Sequence, residues 1–168
     1  MLALHRMAAA SSGQGEPQVP GASGSHRYWR IFVTANNGGS FTTIAELEFR
    51  GVIDGDDLTD TVGGTPSANS EANSSNAASK AFDEDLGSKW TAGSAPNPAH
   101  WIKWDFVSDQ SLEQISMVGN YSVGNQATFA PKDFQIQYSD NNVDWTSARN
   151  VVGETGWAGG EARTFLVY

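Results

Sequence analysis

Short runs in which every second residue is large and apolar recur along this chain, and no stretch holds a helical period for more than a turn or two. In Tyr28–Thr34, the residues Trp29, Ile31 and Val33 fall on one side. In Ile44–Arg50, Ala45, Leu47 and Phe49 point one way and Glu46, Glu48 and Arg50 the other. Ile102, Trp104 and Phe106 repeat the pattern within Trp101–Val107, as do Phe134, Ile136 and Tyr138 against Gln135, Gln137 and Ser139. Period two marks strands with one buried face, because successive side chains project to opposite sides of a pleated ribbon. Leu112–Gly119 reads as a strand buried on both sides, and Ala162–Tyr168 ends the series. Between the runs stand turn formers, Asn36-Asn37-Gly38-Gly39 and Asp140-Asn141-Asn142, and the acidic loop Gly51–Thr65. Ser67–Ser79, built largely of Ser, Ala and Asn, is expected to run extended along the surface. Trp90, Trp101, Trp104 and Trp145 are expected in the core, since large aromatics fill sandwiches. Many short strands joined by such turns predict an all-β protein, a jelly-roll β-sandwich.

Composition narrows the function. The chain has 168 residues, enough for one domain with a substantial core. Its net charge is −9 without a Lys/Arg cluster, which argues against nucleic acid as a partner. The absence of cysteine excludes disulfides, thiol catalysis and Cys-ligated zinc. Neither a secretion signal nor a membrane-spanning run is legible, so synthesis in a cytoplasm is expected, with export, if any, by another route such as cell lysis and no membrane insertion. Residues 1–26 are poor in large apolar groups and are expected to form an extended N-terminal arm, leaving 27–168 as the folded domain.

The acidic loop Lys80–Trp90 carries the clearest chemical pattern. Asp83 and Asp85 stand two apart, Ser88 follows, and Phe82 and Trp90 flank them. Alternate loop residues can aim oxygens at one hard cation such as Ca²⁺. Acidic loops that bind nothing are commoner, and spacing alone favours that reading. Catalysis is not expected. Two carboxylates in one tight loop cannot flank a substrate about 5–9 Å apart as glycosidase pairs do. No Ser/His/Asp arrangement or phosphate-binding loop can be argued.

Four stretches together resemble the discoidin, or coagulation-factor C-type, superfamily, whose fold is the galactose-binding jelly roll. They are Ala81-Phe82-Asp83-Glu84-Asp85 with Ser88 and Trp90; His100–Phe106; Pro131–Asp140 with Trp145; and Tyr28-Trp29-Arg30-Ile31 with Ile44–Glu48. The resemblance implies a structural Ca²⁺ held by Asp83, Asp85, the Ser88 hydroxyl, Glu46 and carbonyls near Ala81 or Phe82. Glu84 stands where the family usually has Gly, which would strain the loop if that position needs positive φ. The resemblance also implies a glycan site on loops at one end, with Asn36, Asn37, Phe41, His100, the stretch Asn120–Phe129 and Trp157 as candidates. Trp157, between Gly156 and Gly159, is the one expected to be most exposed. Most relatives place the Tyr-Trp-Arg-Ile and Ala-Glu-Leu-Glu strands last, whereas here they come first, so the first and last strands are expected to pair. That order is similar to phage-encoded relatives. It implies a non-catalytic virion structural or decoration protein in multiple copies on a capsid or tail. Residues 1–26 would anchor it to other virion proteins, and the domain would meet cell-surface or environmental glycans. The alternative is a free carbohydrate-binding or adhesion module.

Overall fold

The computed structural model describes residues 23–96, 99–119 and 125–168. Residues 1–22, most of the expected arm, lie outside the described residues. The strands in chain order are β1 (Ser25–Asn36), β2 (Thr43–Ile44), β3 (Glu46–Arg50), β4 (Gly64–Ala68) and β5 (Trp90–Thr91). They continue as β6 (His100–Ser111), β7 (Gln114–Val118), β8 (Pro131–Ser139), β9 (Thr146–Val151) and β10 (Ala162–Leu166). One short helix, α1 (Leu58–Thr61), is capped by Asp57 within the acidic loop before β4. β1 starts two residues earlier than the expected domain boundary, so Ser25 and His26 belong to the sheet.

The larger sheet is antiparallel, in the order β4-β6-β1-β8-β9. Its inner face carries Trp29, Ile31 and Val33 from β1, Ile102, Trp104 and Phe106 from β6, and Phe134 and Ile136 from β8. Against it lies a three-stranded sheet, β10-β7-β3, and β2 pairs with β5 at the side. Leu47, Phe49, Ile115, Met117 and Phe165 fill the space between the layers. Phe134 meets Phe165 edge to face at 5.1 Å, and Phe49 meets Phe106 at 6.2 Å. Each such side chain contributes roughly 1.5–3 kcal/mol when fully buried, so this aromatic and branched core is the main source of stability. β7 is buried along its whole length, as expected of a strand covered on both sides, with Gln114 and Ser116 buried beside its apolar residues.

Two expectations are corrected. Trp90 and Trp104 are core residues, but Trp101 and Trp145 are half-buried on the outer face of the larger sheet. Alternation explains Trp101, because its neighbours Ile102 and Trp104 cannot both be inside if it is too. The first and last strands do not pair. β1 is hydrogen-bonded on both edges, to β6 and β8, and β10 joins β7 in the opposite layer. The first and last strands of the described domain nevertheless begin and end near one corner: Ser25 lies opposite Ser111, and the Val167 N–H donates to the Glu113 carbonyl at 2.8 Å.

Candidate functional site

The loop leaving β1 is built by its own amides. Asn36 accepts the Gly38 N–H at 3.0 Å and donates through Nδ2 to the carbonyls of Gly39 and Phe41 at 2.9 and 2.5 Å. Asn37 donates to the carbonyls of Ala130 and Glu154 at 3.0 and 3.1 Å. Both candidate asparagines therefore shape the loop end. Gly39 sits so close under Phe129 that any Cβ there would overlap the ring. This contact lets Phe129 close against Phe41 edge-on, with ring centres 5.8 Å apart. Phe41 remains 38% exposed. Beside the two rings lies a cleft of about 260 Å³, also lined by Asn73, Asn76, Lys89 and Thr91. The Thr91 hydroxyl finds no hydrogen-bond partner within the described residues. The cleft joins segments far apart in sequence, and of its lining only Phe41 and Phe129 were singled out by sequence.

Two glycan candidates lie elsewhere. His100 is only 3% exposed, and its Nε2 lies 3.1–3.2 Å from Ser94 Oγ and the carbonyls of Ser94 and Ala95. It organises the loop before β6 and offers no surface. Trp157, expected to be exposed, is buried at 3%. Its Nε1 donates to the Pro131 carbonyl at 3.0 Å, and its ring lies where a Cβ on Gly119 would come within 3.0 Å. The Arg163 guanidinium covers the ring at 4.3 Å, fixed by Glu154 and Glu161 at 2.9 and 3.0 Å. Flexible flanks did not turn the indole outward, because Gly119 leaves a flat seat for it. Asn120–Gly124, part of another candidate stretch, lies outside the described residues.

The acidic loop gathers oxygens at its base. Ser88 Oγ lies 2.8 and 2.9 Å from the two Asp83 carboxylate oxygens and 3.1 Å from the Lys80 carbonyl. Lys80 Nζ pairs with Asp83 at 2.9 Å. Desolvation pushes the Asp83 carboxyl up, but Lys80 and Ser88 outweigh it and hold the group below its ordinary range. Glu46 was expected on the outer side of its strand; it is 4% exposed instead. The acidic loop lies near that side, since the charges of its Glu84 and Asp83 reach Glu46, while Phe82 of the same loop enters the core against Phe49 at 5.9 Å. Among the described residues, Glu46 Oε2 is buried without a partner and Oε1 takes only the Leu47 N–H at 3.4 Å. Burial, reinforced by the charges of Glu84 and Asp83, pushes its carboxyl up to about 8.

Asp85 donates its N–H to Asp83 Oδ1 at 3.3 Å and accepts the Gly87 N–H on its own Oδ1 at 2.8 Å, closing the turn. Glu84 does adopt positive φ, 56°, the conformation for which the family's glycine would be suited. The Asp83 charge reaches the orphaned Glu46 carboxylate, and oxygens of these types are the ones a hard cation takes. Asp83, Ser88, Glu46 and the Lys80 carbonyl form that donor set. Sequence did not single out the neighbouring cluster of Asp57, Asp60 and Glu84, whose carboxylate oxygens lie within 4.8 Å of one another. Asp57 is occupied there as a cap, accepting from the Phe49 and Thr59 N–H groups at 2.9 and 3.1 Å.

The F5/8 type C domain model matches residues 65–166, more than half of the chain. The chain belongs to the F5/8 type C family. Domains of this family are carbohydrate- or ligand-binding modules, generally non-catalytic. No curated protein and no solved structure matches the chain. The F5/8 type C match begins at β4, so β1 and β3 precede it in sequence while sitting inside the fold.

Proposed function

We propose that this F5/8 type C domain is a non-catalytic glycan-binding module whose sugar sits beside Phe41 and Phe129. The observation that carries the reading is the cleft itself, which sets two aromatic rings beside the polar side chains of Asn73 and Asn76. A sugar ring has apolar C–H faces that suit aromatic walls and hydroxyls that need a few placed polar groups. A structural Ca²⁺ belongs to the same reading, held by Asp83, Ser88, Glu46 and the Lys80 carbonyl. Its charge would complement the buried Glu46 carboxylate and tie the acidic loop to β3.

In the finer reading the domain is displayed on a phage capsid or tail and anchored through its N-terminal arm. Support comes from β1 and β3 standing ahead of the family match, the order that resembles phage-encoded relatives. A glycan array on the full-length protein, with and without calcium, tests the binding. A defined neutral sugar class should bind, and Phe41→Ala should abolish that binding without lowering the melting temperature. A blank array from folded, calcium-loaded protein would overturn the glycan reading. Removing residues 1–22, which spares β1, should abolish particle association, and docking by the truncated protein would overturn the virion reading.

A further inference from the structure

The outer face of the larger sheet holds two cations side by side. Arg30 on β1 and Lys103 on β6 are cross-strand partners, a placement in which like charges repel. Lys103 is only 9% exposed, its ammonium 5.3 Å from the Trp101 ring centre and 5.6 Å from that of Tyr28. The Arg30 guanidinium lies 3.9 Å from the Trp145 ring centre and 5.0 Å from that of Phe32. Burial lowers the pKa of both groups, that of Arg30 to about 10.

Their hydrogen-bond partners are neutral. Arg30 Nε donates to Gln137 Oε1 at 2.6 Å, and Lys103 Nζ donates to Asn142 Oδ1 at 2.5 Å. The carboxylate two residues along β6, Asp105, is taken by Arg27 at 2.7 Å. Among the described residues, the terminal nitrogens of Arg30 have no acceptor. Partly buried charges are normally paired, and this chain, with net charge −9, has acids to spare. The Asp105 charge still reaches Lys103, but among the described residues no carboxylate is hydrogen-bonded to either cation, which leaves a site complementary to an anion.

We propose that this sheet face is a second ligand site, taking the carboxylate of an acidic sugar such as a uronic acid. The Arg30 fork matches a carboxylate through two parallel N–H bonds, and Lys103 adds charge beside it. Trp101 and Trp145 flank the pair, each half-buried with a cation against its ring, and their exposed parts would line the sugar, which a bare anion would not use. The site is independent of the loop-end cleft, since it draws on β1, β6 and the turn before β9.

Calorimetric titration of the full-length, calcium-loaded protein tests it, using an oligogalacturonate, its neutral galactose counterpart and inorganic phosphate as probes. The oligogalacturonate should bind, more weakly as salt rises. Arg30→Gln and Lys103→Gln should each weaken that binding about tenfold or more, while Phe41→Ala leaves it unchanged. Retained oligogalacturonate binding in both cation variants would overturn the proposal, as would binding of phosphate alone. Loss of uronate binding in Phe41→Ala would assign it to the cleft instead. Where Arg30→Gln lowers the melting temperature sharply, the folded Lys103→Gln variant decides. Failure here leaves neutral-sugar binding at Phe41 intact, so the two readings fail separately.

Discussion

In the metal-free protein, burial keeps the Glu46 carboxyl protonated until about pH 8, whereas its ordinary value is 4.5. The folded state therefore holds this proton more tightly than the unfolded chain does. Its stabilising effect is complete below the ordinary value and is lost as pH rises through the folded one. In EDTA, the melting temperature should fall between about pH 5 and about pH 8 through this group. Glu46→Gln should flatten that slope, and saturating calcium should reverse it by favouring the ionised form. A slope unchanged in Glu46→Gln would remove Glu46 from the account. Glu84, at φ 56°, is a second local conflict. Glu84→Gly should stabilise the protein by about 0.5–1 kcal/mol, relieving left-handed strain at some cost in unfolded-chain entropy. Chemical denaturation would read this directly, and a loss of stability would mean the carboxylate makes a compensating contact.

Among the elements, β1, β3, β6 and β8 were legible because each packs most of one side inward, so the alternation survives in sequence. β4 and β9 were missed, and both are edges of the larger sheet. Gly64–Ala68 has no fully buried residue and Thr146–Val151 has one, so neither leaves an apolar signature. Pro66 is tolerated in β4 because an edge strand needs fewer ladder amides. The contact of Ser88 with Asp83 was legible because both residues share one short loop. The cleft was not, because it depends on the fit of Gly39 under Phe129. Gly39→Ala should displace that ring and destabilise the loop end by roughly 1–3 kcal/mol, the usual scale of overpacking. Loss of neutral-sugar binding should accompany it, as measured on the same array. An unaltered melt with full binding would show that Phe129 does not form the wall.

At the scale of the whole molecule, the two layers were legible from strand count and alternation, but the path between them was not. Pairing of the first and last strands was the natural reading of a reordered chain, yet both edges of β1 were already taken. Adjacent ends and paired ends are different things: Ser25 lies opposite Ser111 at the end of β6, and Val167, just past β10, bonds Glu113 just before β7. The position of β1 also has a mechanical meaning. The N-terminal segment enters at Ser25, and the Phe41 loop follows the other end of the same 12-residue strand. A pull between an anchored N-terminus and a sugar held at that loop would run along β1. It would load the hydrogen bonds to β6 and β8 in shear, so both ladders would resist together rather than unzipping one bond at a time.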